Sequence, residues 1–197
     1  MASLVSPKRE APADARQLRS RSALTGALLA LLEDRAFDQL TVREITARAG
    51  TGYATFFRHY PTKEALLGDI AADEIAELLA RTIQIMVDNG SYESTEAVCA
   101  HVWRHRRLWS ALLTGGARGM VREEFIRQAR DLQPDDRHRI EWLPADLGVL
   151  HGAGATIDVL AWWLEQEKPY EVHDVAEILH RLVIAPLTGS EHRSVAK

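Results

Sequence analysis

The sequence predicts an all-α protein with a small three-helix N-terminal head and a larger helical body. Apolar residues recur at helical spacing in most segments, and glycine or proline residues separate these segments. No segment of useful length alternates apolar and polar residues as a half-buried strand does. The 197 residues are enough to bury a substantial core, and a content of 46% hydrophobic and 26% charged residues is ordinary for a globular protein.

The first segments of the chain build the head. Residues 1–13 are charged, proline-bearing and weakly apolar, so we expect a disordered arm there. A helix is expected over about 14–33, because one face of it carries only leucine and alanine: Leu24, Ala27, Leu28, Leu31 and Leu32. Phe37 and Leu40 follow this helix, and we expect both side chains to be buried at the junction with the next segment.

Residues 40–67 contain two short helices joined by a glycine turn. Thr41 begins the first helix, and Gly50 ends it, since the residue just past a helix end often needs the left-handed conformation that glycine allows. Pro61 breaks the second helix, and Thr62 is placed to cap the next one. Two short helices with a tight turn between them form a helix-turn-helix, whose second helix can enter the major groove of DNA.

Residues 41–67, which read TVREITARAGTGYATFFRHYPTKEALL, resemble the DNA-binding signature of TetR-family (TetR/AcrR-like) transcriptional regulators. The resemblance implies a TetR-type DNA-binding domain over residues 14–62, with the helix-turn-helix at about 41–60. It implies an effector-binding and dimerisation domain over residues 63–190. It also implies a homodimer that binds double-stranded operator DNA and a small-molecule effector, and it implies no cofactor.

Eight residues are candidate DNA contacts: Thr41, Arg43, Thr51, Tyr53, Thr55, Arg58, His59 and Lys63. The two threonines at the helix starts can hold phosphate oxygens through their hydroxyls and the nearby backbone N–H groups. Tyr53 and Thr55 are expected to contact the groove, together with Arg58 on the same helix. Arg43 reaches a base edge or a phosphate, or is a solvated surface arginine. The resemblance assigns phosphate-contacting positions to His59 and Lys63.

Two positions of the second helix depart from the family pattern. Phe57 stands where family members often have tyrosine, and Gly52 stands where they often have serine. Two hydroxyls that could contact phosphate are therefore absent, and each such loss corresponds to about 1 kcal/mol of binding free energy. Either Tyr53 compensates for the missing contacts or the affinity for DNA is lower.

Charge is divided unequally along the chain. Residues 1–64 hold ten Lys and Arg against seven Asp and Glu, a net charge of +3, which leaves −7 for the rest of a chain whose total is −4. A basic head on an acidic body favours electrostatic attraction of the head to phosphate. Arg16, Arg19 and Arg21 at the start of the first helix can reach DNA phosphates, or they form a solvated basic face.

The body is expected to be helical throughout. One long helix over 63–88 links it to the head, two helices or one bent helix follow over 93–114, and another helix covers 120–132. Two C-terminal helices are expected over 144–168 and 172–187. Glycines inside the first of these two need a packing reason, because each costs about 1 kcal/mol relative to alanine. The two helices suit a four-helix bundle across a two-fold axis, where the resemblance also places the dimer interface.

Aromatic residues and histidines are concentrated in the acidic body: Trp103, Trp109, Phe125, Trp142, Trp162, Trp163, His101, His105 and His151. Large apolar side chains with a few polar groups suit a small-molecule pocket, although a tryptophan on an apolar helix face is usually a core residue. The resemblance implies an effector site in this region. Our candidates for it are Trp109, Phe125, Trp142 and His151, and the aromatic content favours an apolar effector.

Other functional classes find little support. His101 and His105 are one helical turn apart, but a zincin helix needs glutamate after the first histidine, and here the residue is Val102. A two-histidine metal site stays open, although packed or surface histidines are favoured and no metal is predicted. No nucleophile motif indicates an enzyme. The single cysteine, Cys99, fits a reducing cytoplasm, and no segment resembles a signal peptide or is long enough in apolar residues to cross a membrane.

These observations together predict a ligand-responsive repressor in the cytoplasm. The resemblance implies that it binds a pseudo-palindromic operator as a homodimer, which is held together by its two C-terminal helices, and that a small, apolar effector releases it. Two alternatives of the same fold stay open, an effector-binding helical module without DNA binding and a transcriptional activator. A helical enzyme of this shape would need clustered polar groups in its pocket, which the sequence does not offer.

Overall fold

A computed structural model describes residues 12–131 and 142–189 of the chain. Helices are the only regular secondary structure in these two ranges, and short turns and loops connect them. The α-helices of these ranges are α1 (Pro12–Leu32), α2 (Val42–Arg48), α3 (Tyr53–His59), α4 (Lys63–Asp88), α5 (Ser91–Arg104), α6 (Arg106–Leu113), α7 (Arg118–Asp131), α8 (Ala145–Leu164), α9 (Val172–Leu179) and α10 (Ala185–Thr188). A 3-10 turn (Phe37–Gln39) precedes α2, and a π-helical segment (His180–Ile184) joins α9 to α10. The predicted all-α fold is confirmed.

Most helix bounds lie within a few residues of those expected from the sequence. α1 begins at Pro12, two residues before the expected start, so the last two residues of the arm expected over 1–13 are helical, and residues 1–11 lie outside the described residues. The segment over 93–114 forms two helices, because the backbone at His105 (φ −108°, ψ 32°) leaves the helical conformation. The last expected helix is divided by the π-helical segment.

Local hydrogen bonds explain where α2 begins and ends. The Thr41 hydroxyl accepts a hydrogen bond from the backbone N–H of Glu44 (3.3 Å), and the backbone N–H of Thr41 donates to the Glu44 carboxylate (2.8 Å), which together make a capping box. The hydrogen bonds that Thr41 and Arg35 donate to this carboxylate lower the pKa of Glu44 to about 2. Gly50 has a φ of 62°, which ends the helix as predicted.

The limits of α3 and α4 follow from similar signals. α3 stops before Tyr60, whose extended backbone is the conformation that Pro61 imposes on the residue preceding it. The hydroxyl of Thr62 accepts a hydrogen bond from the backbone N–H of Ala65 (3.1 Å). Thr62 therefore caps α4, as the sequence predicts.

The core of the head lies between α1, α2, α3 and the first turns of α4. It is built from buried apolar side chains of all four helices and the 3-10 turn: Leu24, Leu28, Phe37, Leu40, Ile45, Phe56, Leu66 and Leu67. The predicted burial of Phe37, Leu40, Ile45 and Phe56 is confirmed, since none of these side chains is more than 6% exposed. This core sets the orientation of α3 relative to α1 and α4.

α4 belongs to the head and to the body. Leu66 and Ile70 near its start are buried in the core of the head. Leu78 and Thr82 further along line a cavity together with side chains of α5, α7 and α8. In the body α4 packs on α5 and α7, α8 packs on α6 and α7, and α9 packs on α5. One helix of 26 residues thus connects the two parts without a break.

Lys63, in the first turn of α4, joins this helix to the head. Its ammonium donates hydrogen bonds to the backbone carbonyl oxygens of Phe37 (3.0 Å) and Leu40 (2.9 Å), and it lies 4.5 Å from the centre of the Phe37 ring. A positive charge at a helix N-terminus opposes the helix dipole. Here the partial negative charges on the carbonyl oxygens of Phe37 and Leu40 compensate for the positive charge of Lys63.

A second group of polar side chains joins α1 and the end of α3 to α4. The guanidinium of Arg21 donates hydrogen bonds to both carboxylate oxygens of Asp69 and to the Tyr60 hydroxyl (3.2 Å), and this hydroxyl donates to Asp69 (2.6 Å). Burial alone would raise the pKa of Asp69, but the hydrogen bonds from Arg21 and Tyr60 outweigh it and lower this pKa. Burial and the hydrogen bond with Asp69 raise the pKa of Tyr60 to about 12.

α8 has an unusually apolar composition. By length and hydropathy it could cross a bilayer, so the expectation that no segment is long enough was wrong, because the small residues of α8 extend the apolar stretch. Core helices of soluble proteins pass the same test, and this property alone does not indicate a membrane. Its glycines have a packing reason within the chain: a Cβ at Gly152 would come within 2.8 Å of Leu187 in α10. Small residues in α8 therefore allow α10 to approach closely.

Lys63→Met is expected to lower the free energy of unfolding by about 1–3 kcal/mol, because carbonyl oxygens at the junction of head and α4 lose their charged donor. Lys168→Met, at an exposed lysine beyond α8, is the matched control and should change this free energy by less than about 0.5 kcal/mol. Urea denaturation followed by circular dichroism measures both. Equal losses in the two variants would contradict the structural role of Lys63.

Candidate nucleic-acid interface

The outer face of α3 carries two aromatic side chains one helical turn apart. Tyr53 is 52% exposed and Phe57 is 47% exposed, and their rings meet edge to face with centroids 5.0 Å apart. Phe56 points the other way and is fully buried in the core of the head. Ala54 and Arg58 are exposed as well. The second helix of the helix-turn-helix therefore presents an aromatic and cationic surface to solvent.

Thr55 and Arg58 are joined by a hydrogen bond along α3. The guanidinium of Arg58 donates to the Thr55 hydroxyl over 2.9 Å, which holds the charged group against the helix beside the aromatic pair. A guanidinium can donate two parallel hydrogen bonds to guanine or to a phosphate. The groove contact predicted for Thr55 stays a prediction, because its hydroxyl is half-buried and already accepts this hydrogen bond.

Thr51 lies inside the turn between α2 and α3. Its backbone N–H donates to the carbonyl oxygen of Thr46 (3.0 Å), and Gly52 rather than Thr51 is the N-cap of α3. The Thr51 hydroxyl oxygen is shielded from solvent and has no hydrogen-bond partner within the described part of the chain. Its predicted phosphate contact stays a prediction, and in this conformation the hydroxyl oxygen is shielded from a phosphate.

Three further candidates have partners within the head. The hydroxyl of Thr41 also donates to the Glu44 carboxylate (2.7 Å), in addition to its capping role. Nε2 of His59 lies 2.7 Å from the hydroxyl oxygen of Ser20 in α1. Lys63 is held by the carbonyl oxygens described above. The phosphate contacts predicted for these residues stay predictions, and each side chain has a structural partner that a phosphate would have to share.

Each helix of the head carries exposed arginines: Arg16 and Arg19 on α1, Arg43 and Arg48 on α2, and Arg58 on α3. Arg21 differs from them, since its guanidinium is held by Asp69. Guanidinium groups on three helices of one small unit can engage the phosphates on either side of a groove. The head therefore offers both kinds of contact that DNA requires, cations for the backbone and an accessible helix face for the bases.

Among the predicted DNA contacts, Arg43, Tyr53 and Arg58 are exposed on the helix-turn-helix. Two exposed residues with large side chains, Phe57 and Arg48, were not among the candidates. The spacing of Phe57 four residues after Tyr53, with the core residue Phe56 between them, is the signal that places it on the outer face. The sequence offers no comparable signal for Arg48 beyond its charge.

The body contains a cavity of about 190 Å³, to which α4, α5, α6, α7, α8 and the C-terminal segments all contribute. Most of its lining is apolar. The lining residues are Leu78, Leu79, Thr82, Ile83, Met86, Ser94, Thr95, Val98, Trp109, Leu113, Val121, Phe125, Gly152, Thr156, Ile157, Leu160, Leu179 and Ile184. An apolar cavity with a few hydroxyl groups suits a small, mainly apolar molecule.

Most polar groups of the lining already have partners. The hydroxyls of Thr82, Ser94 and Thr95 donate to backbone carbonyl oxygens over 2.7–2.8 Å. Trp109 is different, because its buried indole N–H has no acceptor in the described ranges. A buried donor without a partner costs roughly 1–3 kcal/mol. An acceptor atom on a bound molecule that reached this N–H would remove that cost.

Two of the four residues predicted to bind an effector line the cavity. Trp109 and Phe125 do so, whereas Trp142 is 77% exposed and lies outside it. His151 is also exposed, in a shallow depression beside Arg122. It precedes the lining residue Gly152 by one position, and one residue turns the side chain about 100° around a helix. The structure therefore does not bring Trp142 and His151 together with the other two.

Comparison with known proteins links the head to a defined family. Residues 24–70 match the family model described as bacterial regulatory proteins, tetR family. This match covers α2 and α3 together with most of the second half of α1 and the start of α4. No curated protein sequence matches the chain.

Solved structures of TetR-family regulators share the fold of most of the chain. A TetR transcriptional regulator from Rhodococcus sp. RHA1 has a TM-score of 0.63 at 15% identity, with 89% of this chain and 98% of that chain covered. RolR in complex with resorcinol has a TM-score of 0.60 at 21% identity, covering 93% and 98%. Thermus thermophilus FadR, a TetR-family transcriptional repressor in complex with lauroyl-CoA, has a TM-score of 0.59 at 17% identity, covering 83% and 93%.

The family resemblance carried by residues 41–67 is thus confirmed by an independent match and by the fold. TetR-family transcriptional regulators are DNA-binding proteins and not enzymes. Residues 24–70, which include the helix-turn-helix of α2 and α3, are thus similar to the tetR family of bacterial regulatory proteins, and the chain shares its fold with solved TetR-family regulators.

Proposed function

We propose that this protein is a repressor that binds a pseudo-palindromic operator as a homodimer and releases it when a small, mainly apolar effector enters the body cavity. The observation that carries the proposal is that α4 runs without a break from the head to the body cavity. Its first turns are part of the core of the DNA-binding head, and Leu78 and Thr82 in its second half line the cavity. A molecule in the cavity therefore touches the helix on which the head is mounted.

Sequence readout is assigned to the exposed face of α3. Tyr53 and Arg58 can donate hydrogen bonds to base edges or phosphates, and Phe57 can pack against a thymine methyl group. The exposed aromatic pair explains why tyrosine is dispensable at position 57, since an apolar contact replaces the hydroxyl. Arg43 and Arg48 on α2 are assigned to phosphates, whose neutralisation supplies most of the salt-dependent affinity.

The remaining predicted DNA contacts are assigned a supporting role. The side chains of Thr41, Thr55, His59 and Lys63 have partners within the head, and the Thr51 hydroxyl is shielded. These side chains hold α2, α3 and α4 in register, and the DNA backbone contacts made near them come mainly from N–H groups at the helix starts. Their loss would change the orientation of the reading face rather than remove a single contact.

A homodimer explains the apolar surface of the C-terminal part. Large apolar side chains stand exposed on α8, on the loop after it and in the π-helical segment: Leu147, Leu150, Trp162, Tyr170 and Leu182. Exposed apolar surface of this kind marks an interaction site. Pairing of two copies through these elements would bury it and would place two α3 helices on one DNA duplex, as a palindromic operator requires.

We assign the effector to the cavity because of the chemical character of the lining residues. The lining offers apolar surface, hydroxyls that are already paired and the unpaired indole N–H of Trp109. Such a site favours a compact aromatic or aliphatic molecule that bears one hydrogen-bond acceptor. Two proteins of the same fold were solved with resorcinol and with lauroyl-CoA, ligands that contain an aromatic ring and an aliphatic acyl chain respectively.

Release from DNA requires that the effector binds one conformation of the protein more tightly than another. An effector can shift the protein only toward the conformation that it binds more tightly. We assign the higher affinity to a conformation in which α4 is displaced against α5, because both helices line the cavity. Displacement of α4 moves the head with it, and the two heads of a dimer would then no longer match the half-site spacing.

Arg58→Ala is expected to weaken operator binding about tenfold or more and to reduce the salt dependence of binding by about one phosphate contact. Arg107→Ala, at an exposed arginine of the body, is the matched control and should leave both unchanged. The operator is first selected from a genomic DNA pool with the purified protein, and affinities are then measured by fluorescence anisotropy at two salt concentrations. No enriched palindrome from a folded dimer, or equal effects of both variants, would refute the assignment.

Leu182→Glu is expected to convert the dimer into monomers, because it places a charge at a residue that is 66% exposed on the proposed interface. Val87→Glu, at a residue that is 77% exposed on α4, should leave the dimer intact. Sedimentation velocity gives the oligomeric state of each variant. A dimer that tolerates Leu182→Glu as well as Val87→Glu would show that the interface lies elsewhere.

Val98→Phe is expected to abolish binding of 1-aminoanthracene, a small fluorescent aromatic compound, because the added ring fills the cavity that Val98 lines. Val87→Phe, outside the cavity, should bind the dye like the unchanged protein. Fluorescence titration measures dye binding, and anisotropy measures whether the dye lowers operator affinity. Dye binding that survives Val98→Phe would place the effector site outside this cavity.

A further inference from the structure

Three side chains with metal-ligating atoms meet where α4 crosses the junction of α5 and α6. Oε2 of Glu74 lies 3.3 Å from Nε2 of His101 and 3.9 Å from Nδ1 of His105. One ligand atom from each of these residues lies within 4.8 Å of the other two. This cluster is separate from the DNA-binding face and does not line the cavity.

The spacing of these atoms fits a tetrahedral metal ion. Zinc binds imidazole nitrogen and carboxylate oxygen at about 2.0–2.1 Å, so neighbouring ligand atoms in a tetrahedron are about 3.3–3.4 Å apart. The distance between Glu74 and His101 already has this value. The distance from Glu74 to His105 would have to shorten by about 0.5 Å and that between the two histidines by up to about 1.5 Å, which rotation of the more exposed His105 ring can supply.

The surroundings favour a ligand site over a simple ion pair. His101 is only 3% exposed, and its Nδ1 has no hydrogen-bond partner within the described residues, so its contact with Glu74 is the polar contact that the structure gives this ring. His105 is 42% exposed at the side chain, which leaves a path for an ion. The nearby guanidinium of Arg81 is paired with Glu77 (2.8 Å), so it does not occupy the Glu74 carboxylate.

We propose that Glu74, His101 and His105 bind one divalent transition-metal ion, of which Zn²⁺ is the best match. Two imidazoles and one carboxylate are a frequent protein ligand set for zinc, with the fourth position left to water. His101 in α5 and His105 at the junction of α5 and α6 supply two ligands four residues apart, and α4 supplies the third. Glu74, 27 residues before His101, would supply the carboxylate ligand.

The ion would join α4 to the junction of α5 and α6 at a defined point. Glu74 lies between the head residue Ile70 and the cavity residue Leu78 on the same helix. The ring of His101 is 6.2 Å, centroid to centroid, from that of Trp109, which lines the cavity. Metal binding would therefore restrain the part of α4 that connects the effector cavity to the head.

The test uses the full chain without a histidine tag and Zn²⁺ alone as the ligand. Isothermal titration should give one ion per chain, and Glu74→Gln and His105→Ala should each weaken it at least about tenfold, the scale that loss of even an outer partner produces in metal sites. His173→Ala is the matched control, since His173 is an exposed histidine 3.7 Å from a single carboxylate, that of Glu96, and it should change the affinity less than twofold.

A second readout separates ligand loss from misfolding. Co²⁺ should give visible absorption bands of a low-symmetry, four-coordinate site in the unchanged protein and in His173→Ala, and these bands should disappear in Glu74→Gln, whose side chain keeps the shape of glutamate. Zn²⁺ should raise the melting temperature of the unchanged protein but not that of Glu74→Gln, because an ion that binds only the folded state stabilises it. The absence of one-to-one Zn²⁺ binding, or binding that Glu74→Gln and His105→Ala leave intact, would overturn the proposal.

Discussion

The continuity of α4 is the constraint on which the rest of the molecule depends. An α-helix satisfies its backbone hydrogen bonds internally, so its 26 residues behave as one stiff element between head and body. Its first turns are buried against α1 and the helix-turn-helix, and its later turns pack on α5 and α7. Any change in the packing of the body on α4 therefore reaches the head as a change in orientation, provided that the head is firmly attached.

That attachment uses polar groups which a DNA-binding protein could otherwise direct at its ligand. Lys63 donates to carbonyl oxygens, Arg21 is held by Asp69 and His59 contacts Ser20. These partners lie within the protein and keep their geometry when DNA is absent. In the described conformation these hydrogen bonds define the orientation of α3 relative to α4.

Features that depend on neighbouring residues could be predicted from the sequence, whereas contacts between residues far apart in the chain could not. Helix limits depend on neighbouring residues, such as the capping box at Thr41 and the left-handed Gly50, so the all-α fold and the helix-turn-helix could be predicted. Partners far apart in the chain could not. Nothing near Lys63 in the sequence indicates its acceptors 23 or more residues earlier, and nothing near Trp142 indicates that it stays exposed while Trp109 lines the cavity.

The position of the proposed metal site bears on how the effector would act. A ligand in the cavity and an ion at Glu74 contact the same helix within one turn of each other, since Leu78 follows Glu74 by four residues. If the ion stabilises one position of α4 against α5 and the effector favours another, each lowers the affinity for the other by the same factor, because coupling between two binding sites is reciprocal. An ion that restrains α4 would then strengthen operator binding in the absence of effector, and the effector would release DNA and metal together.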